Sequence, residues 1–174
     1  MRINMETADL KTKHRFSDCL YWNLFALIPI FTAAYAIGQE SGFWLAIYIV
    51  VLLGLFLGVE YRYFCTHCPH YQRQGKLTTC MFMWGVPKFF KARQGPLSTR
   101  DKMVIIVAFA VAVIFPLPWL AAVPALMVLY LLSVTVFFVS MRRSECVRCI
   151  YFDCPLNKVP VEVQDKYLTV NKSE

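Results

Sequence analysis

Between Lys102 and Arg142 the chain runs for 39 residues without one formally charged side chain. A charge at the centre of a bilayer costs at least about 2.5–3.5 kcal/mol, so a stretch this clean and this apolar is built for lipid. Two further stretches are similarly empty, residues 19 to 39 between Asp18 and Glu40, and residues 41 to 59 between Glu40 and Glu60. A hydrocarbon core of about 30 Å takes about 20 helical residues, so each of these is one span. The 39-residue stretch is twice that length and carries Pro116, Pro118 and Pro124, which remove backbone donors and clash with the preceding turn; it divides into two spans at a tight turn. The spacing therefore predicts an all-α integral membrane protein. It has four helices in two transmembrane hairpins, with spans at about 19–39, 42–59, 103–118 and 122–141 within a single membrane domain, 1–174. Pro29 falls inside the first span, where a kink is expected and a break is not, because two half-spans could not cross.

Composition agrees. The chain is 58% hydrophobic and 17% charged, against roughly 45–50% and about 25% for soluble domains. The 18 Lys and Arg against 11 acids give a net charge of +7, and every basic residue lies in residues 1–18, in the loop 60–102 or in the tail 142–174. The turns on the other side carry none and contain one acid, Glu40. The positive-inside rule then puts both termini and the long loop in the cytoplasm of a multi-pass protein of the plasma (inner) membrane. Trp22, Trp44 and Trp119 fall near span ends, where amphipathic rings prefer to sit. No short apolar region closed by a small-residue cleavage site is visible, so no cleaved signal peptide is expected. Cys19 reads as a thiol at the membrane edge.

The other six of the seven cysteines lie outside the spans in two groups of three. One is Cys65-Thr-His-Cys68-Pro-His70 with Cys80; the other is Cys146-Val-Arg-Cys149 with Cys154. Each group follows the second helix of a predicted hairpin after a short basic linker, so the layout reads as a weak internal repeat, and a bundle would bring the groups to one face. Thiols in a reducing compartment are more often metal ligands or transient redox centres than structural disulfides. Two thiolates separated by two residues converge on an ion from a tight turn whose amides are free to donate to the sulfurs, and a remote pair completes the tetrahedron. The candidate ligands are Cys65, Cys68, Cys80, Cys146, Cys149, Cys154 and His70; His67, between its two cysteines, points away more easily. The residues allow two four-coordinate sites, for instance Cys65, Cys68, His70 and Cys80 beside Cys146, Cys149, Cys154 and a borrowed ligand. They equally allow one site made by Cys65, Cys68, Cys146 and Cys149. Zinc and an iron–sulfur cluster both fit the spacing; the dense four-cysteine run of bacterial ferredoxins is absent.

In the loop, Trp84, Phe89 and Phe90 interleave with Lys88, Lys91 and Arg93, a pattern suited to the headgroup layer, with rings inward and cations reaching anionic headgroups. Nucleic acid is not an expected partner. Ser98 to Asp101 is a candidate N-cap for the third span. No Asp, Glu, Lys, Arg or His lies inside a span, which disfavours an ion or proton pathway. Asn23, Thr32, Ser133 and Thr135 read as hydrogen-bonding groups within the bundle, and no catalytic triad, phosphate loop or carboxylate pair is present. The sequence points to a membrane subunit or anchor with a cytoplasmic Cys-rich metal site and a protein partner in a larger assembly, possessing electron-transfer chemistry if the metal is iron–sulfur, and not to an enzyme in its own right. The alternative is a thiol–disulfide or soft-metal handling protein that uses its C-x-x-C pairs.

Overall fold

The computed structural model describes residues 9–171. Four helices are long and apolar enough to cross a membrane, Phe16–Glu40, Gly42–His67, Thr99–Ala121 and Pro124–Ser144, as a multi-pass membrane protein requires. The first helix is continuous through Pro29. The second passes into π-helical turns over Gly54–Glu60, which shift the phase of the residues that follow, and it tightens to a 3-10 turn at Cys65–His67. It ends because Cys68 is extended, φ −72° and ψ 132°, the conformation imposed on a residue preceding proline. The third helix starts at a Ser98 cap whose Oγ accepts the Asp101 amide at 3.1 Å. After Ile114 it bends at Phe115–Pro116 and resumes over Leu117–Ala121.

The first helix packs chiefly against the fourth and also against the second; the second packs against the third through Gly54–Glu60. Small residues make the first of these approaches possible, since Ala33 and Ala36 are buried with Ile37. Phe109 meets Phe138 edge-on at 4.7 Å and the Tyr130 hydroxyl donates to the Val113 carbonyl at 3.0 Å, linking third and fourth helices. At the end near the short turns, Tyr48, Phe115 and Trp119 stack in sequence, and Trp44 meets Trp119 at a tilt, centroids 5.5 Å apart. Outward-facing side chains such as Phe31, Phe43, Val50 and Val128 are 65–70% exposed. In water that surface would be a large liability; in lipid it is the solvated face. Thr32, Ser133 and Thr135 each donate to a carbonyl of their own helix. Trp22, expected near a span end, is buried at 2% exposure against Met141 and Cys146.

The opposite end carries a folded cap, and here the chain is not wholly helical. Strands β1, Leu77–Thr79, and β2, Trp84–Pro87, form an antiparallel hairpin with a register shift between Leu77 and Thr79. Gly85, at φ +74°, supplies the extra residue on β2 in a conformation that side chains resist. The loop after β2 is tied down by tyrosines: Tyr61 Oη donates to the Pro87 carbonyl at 2.7 Å and Tyr71 Oη to that of Phe90 at 2.6 Å. The tail crosses the same end, and the Lys11 amide donates to the Arg148 carbonyl at 2.7 Å. A last helix, Val161–Asn171, packs Tyr167 edge-on against Phe152.

Candidate metal centre

Six cysteines gather in this cap, and the local backbone explains how. Cys65 lies in the 3-10 turn that closes the second helix, and Cys68 is the extended residue before the helical turn Pro69–Gln72. Cys80 sits in the turn of the β-hairpin, its amide donating to the Met83 carbonyl at 3.0 Å. Cys65, Cys68 and Cys80 line one small cavity of about 30 Å³ with Tyr61, Phe64, Tyr71, Thr78 and Met83. From the tail, Cys149 and Cys154 pack into the same buried group, beside Tyr151 and Cys68. Cys146 instead belongs to the neighbouring cluster around Trp22 and Met141.

The tail loop holds its shape through Asn157. Its Nδ2 donates to the carbonyls of Cys149 at 2.8 Å and Tyr151 at 2.9 Å, and its Oδ1 accepts the Val159 amide at 2.9 Å. Nothing in the cysteine spacing singles out this residue. The available signal was a polar side chain two residues after the Cys154-Pro155 turn, a position suited to closing a loop.

The Tyr151 amide donates to the Cys149 sulfur at 3.4 Å, and neighbouring amides favour the charged form of other thiols: that of His70 at Cys68, those of Met81, Phe82 and Met83 at Cys80, those of Leu156 and Asn157 at Cys154, and that of Trp84 at Cys19. Such donors stabilise negative charge on sulfur. Burial acts the other way and is the larger effect, pushing the thiol pKa of Cys68 well above its ordinary value, raising those of Cys80 and Cys154, and lifting Cys149 to about 12 and Cys146 to about 11. All seven cysteines are free thiols. Among the described residues, no group of three or more His, Cys, Asp or Glu side chains stands together in metal-holding geometry.

The two histidines beside the C-x-x-C face elsewhere. His67 sets Nδ1 3.3 Å from the Gly95 carbonyl and Nε2 3.7 Å from Asp101, whose carboxylate also accepts from Ser98. His70, 2% exposed, packs its ring 4.5 Å from that of His14, and neither of its nitrogens has a hydrogen-bond partner. Burial first, then His14 and the charges of Arg73 and Lys11, push its pKa down to about 3. Beside the pair, Lys11 Nζ reaches both oxygens of Glu145 and one of Asp18, each at 3.0 Å. His70 is thus not among the residues lining the thiol cavity; it packs beside a charged knot that joins the N-terminal segment, the first helix and the tail, an arrangement without a signal in residue spacing.

The 84–93 segment is only partly outward. Lys88 donates to the Arg73 carbonyl and stands 5.5 Å over the Tyr71 ring, and Phe90 packs against Tyr61, whereas Phe89 is 70% exposed.

Compared with known proteins, the chain matches no family model, no curated protein and no solved structure.

Proposed function

We propose that this is a multi-pass plasma (inner) membrane protein whose cytoplasmic cap holds a thiolate-bound metal, zinc or an iron–sulfur centre, and which serves as a membrane subunit or anchor in a larger assembly. One observation carries the reading: the second helix, the β-hairpin and the tail, remote in sequence, deliver Cys65, Cys68, Cys80, Cys149 and Cys154 to one buried region at one end of the bundle. Buried neutral thiols with amide donors aimed at sulfur are held back until a cation supplies compensating charge, which inverts the local pKa balance. The same burial weighs against thiol–disulfide exchange, which needs an accessible thiolate. With zinc the site staples loop to tail; with iron–sulfur it relays electrons toward a membrane partner. Headgroup contact falls to the outer part of the 84–93 segment, where exposed Phe89 and Lys91 can reach anionic lipid, while Arg93 is turned to Asp101 and Tyr63.

The decisive measurement is elemental analysis of protein purified anaerobically under reducing conditions, together with its visible absorbance. Stoichiometric zinc, or iron with broad absorbance, supports the reading, and metal-free protein overturns it. Orientation is tested by reporters at residues 75 and 165: activity from the cytoplasm is expected, and silence at both would reverse the topology.

A further inference from the structure

Between the second and third helices, in the half of the bundle nearer the cap, lies an apolar groove of about 350 Å³. Leu55 and Val59 line it from one side and Met103, Val107 and Val111 from the other, with buried Ala108 as its floor. Met103, Val107 and Val111 are 41–55% exposed, so the groove opens to whatever surrounds the bundle. From Met103 to Val111 the helix rises about 12 Å, against about 15 Å for the hydrocarbon of one leaflet, half of a core of about 30 Å. The groove therefore runs along most of the depth of the leaflet on the cap side, and an acyl chain is what that leaflet offers to fill it.

Arginines stand at its mouth. Arg62 follows Val59 by three residues, and Arg100 precedes Met103 by three and Val107 by seven, so each continues a groove-lining face one turn toward the cap. Both are exposed. Arg93 joins the two helices there, its guanidinium 5.8 Å over the Tyr63 ring and 3.8 Å from the Asp101 carboxylate. Among the described residues, Arg62 meets the rings of Tyr63 and Phe90, and neither it nor Arg100 takes part in an ion pair. Residues 60–62 and 91–102 carry Arg62, Lys91, Arg93, Arg100 and Lys102 against two acids, Glu60 and Asp101, and Asp101 is already engaged by Ser98. We propose that the groove and these arginines form a binding site for one anionic phospholipid of the cap-side leaflet, an acyl chain along Val107 and Val111 and the phosphate held by Arg62 and Arg100. Guanidinium groups present paired donors that match phosphate oxygens, and basic pockets between membrane helices suit anionic headgroups. A soluble anion would meet the arginines but leave the groove empty; a neutral lipid would fill the groove but leave the arginines without an anion. The site is separate from the general headgroup contact of Phe89 and Lys91, is independent of the metal, and rests on the placement of the bundle in a membrane.

The test uses full-length protein in detergent, stripped of lipid and titrated with phosphatidylglycerol or phosphatidylcholine of identical chains, with bound lipid counted by native mass spectrometry. Wild type is expected to hold one phosphatidylglycerol per chain in preference to phosphatidylcholine. A basic side chain beside anionic lipid contributes about 5-fold in affinity, so R62Q/R100Q should bind phosphatidylglycerol about 25-fold more weakly and approach the affinity for phosphatidylcholine. V107W places an indole in the groove with every charge intact; because Val107 faces outward, the variant should unfold at the wild-type temperature yet lose binding. V128W, equally outward but on the fourth helix, should bind as wild type does. Loss in R62Q/R100Q with unchanged binding in V107W reduces the site to surface charge and overturns the groove. Equal affinity for the two lipids, or displacement of phosphatidylglycerol by inorganic phosphate, overturns joint recognition of chain and headgroup, and unchanged binding in both variants places the lipid elsewhere. Protein that stays soluble and monodisperse without detergent is a distinct result, overturning the membrane placement on which the site rests.

Discussion

Replacing Lys11 with Met keeps the aliphatic stem and deletes the charge that two carboxylates share. Lys11 Nζ lies 3.0 Å from Asp18 and 3.0 Å from Glu145, with side-chain exposures of 25%, 24% and 13%. An exposed ion pair contributes about 0–1 kcal/mol, while breaking a fully buried one costs about 3–5 kcal/mol. This knot lies between, so K11M should cost about 2 kcal/mol, and a double-mutant cycle with E145Q should give a coupling of about 1–2 kcal/mol. Thermal unfolding in detergent, followed by circular dichroism, reads both. A pH series adds a second, sign-specific check. Burial and then the charge of Lys11 hold His14 below its ordinary 6.5, against the pull of Glu145 and Asp18. The folded protein therefore binds fewer protons than the unfolded one below that pH, and wild-type stability falls as pH drops through about 6.5. Without Lys11 one of the influences that hold the His14 pKa down is removed while burial remains, so His14 accepts a proton more readily and the K11M penalty should shrink between about pH 7.5 and pH 6. A coupling below about 0.5 kcal/mol, near the limit of additive behaviour, or a penalty that grows on acidification, would mean that the N-terminal segment and tail are not docked as described.

Asn157→Ala removes three hydrogen bonds that shape the tail loop and takes the Asn157 donor from the Cys149 carbonyl, while the Tyr151 carbonyl keeps the Cys154 amide, so it should cost about 2–3 kcal/mol, read by thermal unfolding in detergent. Ala33, fully buried between helices, should lose about 1–3 kcal/mol on conversion to Leu. Val128, 65% exposed, should tolerate Ala with a change within about 0.5 kcal/mol in lipid, and an equal cost at both positions would refute the assignment of core and lipid faces. Gly85→Ala forces a side chain into φ +74° and should destabilise the cap by about 1–2 kcal/mol, measured as earlier loss of protection in hydrogen exchange across Leu77–Pro87.

The four helices were legible because one large energy, the cost of charge in hydrocarbon, writes itself directly into the sequence. Their ends were less so. The second helix runs past Glu60 and Arg62 to His67, because a charge marks where lipid stops, whereas a helix stops where its hydrogen bonds do, here before Pro69. Likewise Arg100, Asp101 and Lys102 form the first turn of the third helix, outside the apolar stretch and set by the Ser98 cap. The hairpin Leu77–Pro87 was missed since its strands are short and one pivots on a glycine, leaving no alternation long enough to register.

The cysteines are the instructive case. Their grouping by spacing is visible, and it allows either a site in each triplet, with His70 in the first and a borrowed ligand in the second, or one site shared by Cys65, Cys68, Cys146 and Cys149. The fold cuts across that grouping: Cys149 joins the loop thiols, Cys146 goes under Trp22, and His70 turns to His14. What decides this is long-range and weak residue by residue: Lys11 bridging Asp18 and Glu145, the Lys11 amide on Arg148, and Asn157 closing the loop that presents Cys149. Each is an ordinary polar residue that gains meaning only when segments more than 100 residues apart meet, as Lys11 and Glu145 do. The positive charge that sets the topology and the thiols that suggest the chemistry thus occupy one end of the molecule for different reasons. Basic residues are there because lipid excludes them; the cysteines are there because the cap folded over the end of the bundle is where this chain can bury thiols beside backbone amides, outside the hydrocarbon.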